Sequence, residues 1–271
     1  MGPLPAPTRS PLRRFCIHMF DRFLSARCPV DEQTRDWVAF RFQWLVETFG
    51  TEPLRMPATC PTADQFPERF DGSTAMLDPV MRRIAGRIGV DPTLVDLQVY
   101  EHEDEHCRLM RSSGLEGRWS SQGAAGYYVE HEGRSDARYN IAIERSVAMD
   151  PTGAVATLAH ELCHALLLGG RHLLGDEEDG EPLTDLATVY FGFGIFTANS
   201  VVRESSWQSA AMSGWSIGRQ GYLTFPILGL ALAIYARLRG EAKPAWSRYL
   251  RPDARAPFRQ GARYLRRHGG P

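Results

Sequence analysis

The chain has 271 residues, of which 43% are hydrophobic and 23% charged, which is the composition of an ordinary globular protein. Its length suits one large domain or two small ones. The net charge of −1 argues against bulk nucleic-acid binding. The longest late apolar run, around residues 227–235, is too short to cross a bilayer, so we expect no membrane partner.

Residues 1–30 include a Pro-rich start, and we expect this N-terminal segment to be loosely packed or poorly ordered. The apolar run that follows its arginines, at 15–20, is too short for a signal peptide. The chain has five cysteines, an odd number, and they form no C-x-x-C pair, as in proteins of a reducing compartment. We therefore expect a cytoplasmic protein. After the N-terminal segment, we expect one main domain over residues 31–245.

Three segments in the first half of that domain predict β-strands. They cover residues 94–100, 126–130 and 138–144. Each alternates apolar and polar residues, and polar connections that contain glycine separate them.

A buried helix is predicted after the strands. Asp150 is a good N-cap, Pro151 suits the first helical position, and Gly169 and Gly170 offer a left-handed stop. Almost every residue between these signals is uncharged and favours a helix. Because no polar stripe runs along it, the helix should be buried on most sides.

The segment His160-Glu161-Leu162-Cys163-His164 lies inside this helix. Residues four apart share one helical face, so the two imidazoles can bind one metal ion. Glu161 lies about 100° further round the helix, where a general base can reach a metal-bound water. Ionisable groups in a buried helix need partners, and a metal would satisfy all three. Cys163 points elsewhere and is interpreted as core.

Two carboxylates downstream are candidates for a third protein ligand. Pro182 indicates the first turn of a second helix, and Glu181 and Asp185 are four residues apart, so they can face the same way. One carboxylate could complete a zinc site of two histidines and a carboxylate. The other could hold a ligand imidazole by its free N–H.

H-E-x-x-H followed on the next helix by E-x-x-x-D resembles the gluzincin group of zinc metallopeptidases, and the match is limited to this region. The resemblance implies that His160, His164 and Glu181 bind zinc, that Glu161 is the base, and that Asp185 orients a ligand histidine. It also implies a zincin-like α+β fold for residues 31–245, which would form the catalytic domain. In that fold a small, mostly antiparallel sheet packs on the active-site helix, further helices follow, and an edge strand can align an extended peptide.

Departures from the gluzincin pattern leave Asp185 open as the third ligand. The gap from His164 to Glu181 is shorter, Gly180 stands where the family has asparagine, and Pro182 places Glu181 at the edge of its helix. Asp185 would then be the ligand, as in the aspartate-ligand zincins, although the Gly-Thr-x-Asp signature of that group is absent.

The rest of the chain offers weaker signals. Zinc peptidases commonly stabilise the oxyanion with a Tyr, His or Arg, so Tyr222 and Arg203 are candidates for that role, although core packing is the favoured interpretation of each. Residues 246–271 form an Arg-rich C-terminal appendage whose arginines recur every four residues. This spacing indicates a helical stripe on a solvated face.

These features together predict a soluble zinc metallopeptidase. Zn²⁺ would activate a water, Glu161 would act as general base, and a peptide or protein would be the substrate. Two alternatives stay open: a zinc hydrolase of a non-peptide amide, and a non-catalytic binding or regulatory protein whose core zinc braces. No pattern in the sequence specifies an oligomeric state.

Overall fold

The computed structural model describes residues 27–101, 126–130, 139–173, 178–208, 213–219 and 222–268. Most of the predicted N-terminal segment, residues 1–26, therefore lies outside the described residues. The α-helices in these ranges are α1 (Glu32–Phe49), α2 (Glu52–Arg55), α3 (Thr74–Ile88), α4 (Arg145–Ala148), α5 (Pro151–His164), α6 (Gly180–Tyr190), α7 (Gly194–Ser200), α8 (Phe225–Leu238) and α9 (Pro252–His268). Short 3₁₀ helices cover Pro92–Leu94 and Ala245–Tyr249.

The strands form one three-stranded sheet and one hairpin. The sheet contains β1 (Val95–Tyr100), β2 (Gly126–Glu130) and β3 (Tyr139–Glu144) in the order β1-β3-β2, and the antiparallel hairpin contains β4 (Val202–Gln208) and β5 (Ser213–Arg219). β3 pairs in parallel with β1 and antiparallel with β2. All three predicted strands are confirmed, each within one residue of its expected start.

The expected α+β fold, with a small and mostly antiparallel sheet against the active-site helix, is wrong. The described chain is mostly helical, and β1 and β3 run parallel, with Leu97 opposite Ile141 in the core. Side chains alternate with the same period in parallel and antiparallel strands. The sequence pattern therefore located the strands but carried no information about their direction.

Helix α5 is the centre of the core. The Asp150 side chain accepts hydrogen bonds from the backbone N–H groups of Thr152 and Gly153, both at 3.1 Å, which confirms the predicted N-cap. Ten of the 14 residues of α5 are buried, because the helix contacts α3, α6, α7 and the sheet. The prediction that this helix is buried on most sides is therefore confirmed.

The end of this helix differs from the predicted left-handed glycine stop. A π-helical turn, Ala165–Gly169, continues α5, and the residue with positive φ is Arg171, at 57°. Gly170 keeps a φ of −77°. Gly169 is needed for close approach, since an added Cβ would lie 2.5 Å from the Tyr139 ring.

Helix α9 lies within the predicted appendage and packs along α8. Its Phe258 and Leu265 belong to the same buried cluster as the core of residues 31–245. The contact is close at Gly229 of α8, where an added Cβ would lie 2.6 Å from the backbone carbonyl carbon of Pro257. The division into domains stays a prediction. No helix in the described ranges is long and apolar enough to cross a membrane.

Gly229→Ala should lower the free energy of unfolding by about 1–3 kcal/mol, because the α9 backbone must move to admit a methyl group. Gly86 is the matched control, since it lies on the exposed side of α3 with nothing within 4 Å of an added Cβ. Gly86→Ala should raise the same free energy by about 0.5–1 kcal/mol through helix propensity. Denaturant unfolding measures both changes, and equal effects would contradict the close packing of α8 on α9.

Candidate metal centre

His160 and His164 project from the same face of α5, as their spacing of four predicts. Their rings lie 4.7 Å apart at an interplanar angle of 80°, and their Nε2 atoms are 3.1 Å apart. Their side chains are only 16% and 12% exposed. Two unprotonated ring nitrogens this close repel each other unless a proton or a cation lies between them.

Glu181 reaches the same point from the first turn of α6. Its Oε2 atom lies 3.2 Å from Nε2 of His160 and 3.1 Å from Nε2 of His164. Among the described residues, these three side chains form the group of His, Cys, Asp and Glu whose ligand atoms converge.

The triangle of these three atoms suits a single small cation. Ligand atoms bound to zinc at about 2.0–2.1 Å in a tetrahedral arrangement lie about 3.3–3.4 Å apart. The observed separations of 3.1, 3.1 and 3.2 Å are close to that spacing. Two imidazole nitrogens and one carboxylate oxygen are also a donor set that zinc accepts. The residues present therefore fit the predicted metal.

The electrostatics of the cluster favour positive charge at this point. Burial raises the pKa of Glu181, but the two imidazoles outweigh burial and hold it below its usual range. Burial lowers the pKa of His160, but the carboxylates of Asp185 and Glu181 outweigh burial and raise it well above its usual range. A proton or a metal ion can supply the charge that the cluster stabilises.

Asp185 contacts the opposite nitrogen of the His160 ring. Its Oδ1 atom lies 2.9 Å from Nδ1 of His160, and its Oδ2 atom accepts hydrogen bonds from the backbone N–H groups of Tyr222 and Leu223, at 2.7 and 3.0 Å. An Nδ1–H that donates to Asp185 leaves a lone pair on Nε2. Of the two carboxylates that the sequence left open, Glu181 is the one beside the Nε2 atoms.

Thr184 plays the corresponding part for His164, and sequence reasoning missed it. Its hydroxyl donates to the carbonyl of Gly180 at 2.8 Å, and its Oγ1 atom lies 3.4 Å from Nδ1 of His164. With its proton used on Gly180, the hydroxyl can accept from that ring nitrogen. Its position in the sequence could have indicated it, because Thr184 lies three residues after Glu181 and so faces the same side of α6.

Glu161 is a buried carboxyl beside the cluster. It is 6% exposed, and burial raises its pKa, an effect that positive charge on His160 and His164 partly offsets. Cys163, between the two histidines in sequence, is fully buried in the hydrophobic core, which confirms its interpretation as core.

The Tyr222 ring stacks beside His160 at the solvent edge of the cluster. The two ring centroids are 6.0 Å apart with an interplanar angle of 18°, and Tyr222 is 43% exposed. The favoured interpretation of Tyr222 as a core residue is therefore wrong. Arg203, the other candidate for oxyanion stabilisation, belongs to β4, and its side chain lies outside the described part of the chain.

Comparison with known protein families, with curated proteins and with solved structures finds no significant match to this chain. The resemblance to gluzincins stays a prediction.

Proposed function

We propose that the protein is a zinc metallopeptidase with His160, His164 and Glu181 as metal ligands. The observation that supports this most directly is the convergence of Nε2, Nε2 and Oε2 within 3.2 Å of one another. Two histidines and one glutamate are the ligands of a well-known class of catalytic zinc sites, in which water takes the fourth position. A structural zinc site would instead be closed by a fourth protein ligand.

In this proposal Glu161 is the general base. When bound, zinc polarises the scissile carbonyl and lowers the pKa of a water to about 7. The Glu161 carboxylate would accept a proton from the attacking water and later deliver it to the leaving amine. The raised pKa of Glu161 suits this role, because a carboxyl that holds its proton more tightly can carry it between the two steps.

The remaining residues of the site orient the ligands and bind substrate. Asp185 holds His160 through Nδ1, and Thr184 faces Nδ1 of His164, so both rings would keep Nε2 directed at the point where the three proposed ligand atoms converge. The Tyr222 hydroxyl is proposed to stabilise the oxyanion, and the stacking of its ring beside His160 supports this role.

Metal content tests the ligand set. Protein purified without an affinity metal should contain about one zinc per chain by elemental analysis, and His164→Ala and Glu181→Ala should lose it because each removes a ligand. Asp185→Asn should retain zinc with an affinity about 10- to 100-fold weaker, since it leaves all three proposed ligands in place and weakens the contact that orients His160.

Glu47→Ala, on an exposed part of α1, is the control and should bind zinc like the wild type. Zinc that survives in Glu181→Ala but disappears in Asp185→Ala would reverse the assignment of the third ligand.

Variants of the reacting groups test the catalytic role. Glu161→Gln should lower peptide hydrolysis by about 10²- to 10⁴-fold, because the amide cannot accept the water proton, while zinc content and thermal unfolding stay as in the wild type. Tyr222→Phe should lower kcat by about 10²- to 10³-fold, the usual cost of losing one oxyanion donor. Peptide libraries and a panel of non-peptide amides supply the substrates.

Full activity in Glu161→Gln would show that another group is the base. A wild-type protein that binds zinc, hydrolyses neither substrate panel and melts when zinc is chelated would indicate a metal that braces the core.

A further inference from the structure

Asp179 connects the start of α6 to α1. Its carboxylate accepts hydrogen bonds from Nε1 of Trp37 at 2.7 Å, from Nε of Arg41 at 2.7 Å and from Nη2 of Arg41 at 2.5 Å. These partners lie 142 and 138 positions away in the sequence. The contact therefore fixes one end of α6 against a distant helix.

The geometry of this contact restricts orientation as well as distance. Arg41 uses two nitrogens on the two carboxylate oxygens, and such a fork-to-fork pair defines a plane as well as a separation. The third bond, from the indole of Trp37, adds a restraint from a rigid ring. The side chains of Arg41 and Asp179 are 15% and 28% exposed, so water screens the pair less than a surface ion pair.

Asp179 does not use its carboxylate to cap its own helix. It occupies the N-cap position of α6, where an aspartate normally accepts from the N–H groups of the first turn, yet it makes no side-chain capping bond. Its carboxylate is turned to α1 instead. The side chain of Asp179 therefore contributes to where α6 lies in the fold and does not cap the first turn.

Glu181 depends on that placement, because it lies only two residues after Asp179. It sits in the first turn of α6, the part of a helix whose N–H groups lack helical partners and which frays most easily. The Glu181 carboxylate must nevertheless hold its Oε2 atom within 3.2 Å of two imidazoles that belong to another helix. A firm anchor for this turn is what such a ligand requires.

We propose that Asp179, held by Arg41 and Trp37, is a positioning residue for the metal ligand Glu181. The proposal rests on the metal site proposed above. A purely structural ion pair between α1 and α6 is the competing explanation, and it would contribute to stability without changing how a metal is bound.

The chain contains a matched control for this comparison. Glu68 also accepts two hydrogen bonds from one guanidinium, that of Arg83, at 2.6 and 3.4 Å. Arg83 lies over the ring of Phe66, as Arg41 lies over that of Trp44. Neither Glu68 nor Arg83 is near a proposed ligand in the sequence. Glu68→Gln therefore removes a comparable ion pair away from the first turn of α6.

The experiment compares wild type, Asp179→Asn, Trp37→Phe and Glu68→Gln as the full chain. Zinc affinity is measured by competition with a chromophoric chelator, the visible absorption spectrum is recorded with Co²⁺ in place of zinc, and thermal unfolding is followed with the metal chelated. Asp179→Asn should weaken zinc binding about 10- to 100-fold and change the Co²⁺ spectrum. Trp37→Phe should do so to a smaller extent, because it removes one of the three hydrogen bonds.

Glu68→Gln should leave zinc affinity within about twofold of the wild type and the Co²⁺ spectrum unchanged, even if its thermal unfolding shifts as much as that of Asp179→Asn. If Asp179→Asn does not fold, Arg41→Lys replaces it and is measured in the same way beside Trp37→Phe. Wild-type zinc affinity and a wild-type Co²⁺ spectrum in the folded variants of Asp179, Arg41 and Trp37 would overturn the positioning role alone. A wild-type protein that binds neither zinc nor Co²⁺ would overturn the proposed function together with this inference.

Discussion

The burial of α5, together with its ionisable side chains, governs how the neighbouring elements pack. This helix contacts other helices and the sheet along nearly its whole length, yet it carries two histidines and a glutamate. Ionisable groups are unfavourable inside a core unless each has a partner. The partners of the two histidines come from α6, whose Glu181, Thr184 and Asp185 all face the last two turns of α5. The same contacts that form the polar cluster therefore also hold α6 against α5.

The cluster also connects α5 and α6 to an irregular segment of the chain. The backbone N–H groups of Tyr222 and Leu223 donate to Asp185, which ties the segment after the β4–β5 hairpin to the ring of His160. In addition, α1 holds the start of α6 through Asp179. Groups that orient metal ligands commonly come from outside the ligand helix, because a helix alone cannot direct both nitrogens of an imidazole. Here they come from α6 and from the segment that includes Tyr222.

Several parts of the fold were accessible from local patterns. The N-cap at Asp150, the buried character of the following helix and the three strands depend on residues close together in sequence, and all were confirmed. The end of the helix was not, because the glycine at 169 is required by contact with the Tyr139 ring and not by its own backbone angle. The parallel pairing of β1 with β3 was missed for a similar reason, since strand direction is decided by the connection and by packing.

The candidate ligand residues could be identified from local spacing. The spacing of four between His160 and His164 places them on one face of any helix, and Glu181 and Asp185 are four apart in the same way. Local spacing could not show which carboxylate lies beside the Nε2 atoms and which lies beside Nδ1 of His160, because this depends on how α6 packs against α5. The contacts of Thr184 and Asp179 could not be predicted from the sequence for the same reason. A hydroxyl or carboxylate acquires a role in a site through partners that are distant in sequence, and the fold alone brings those partners together.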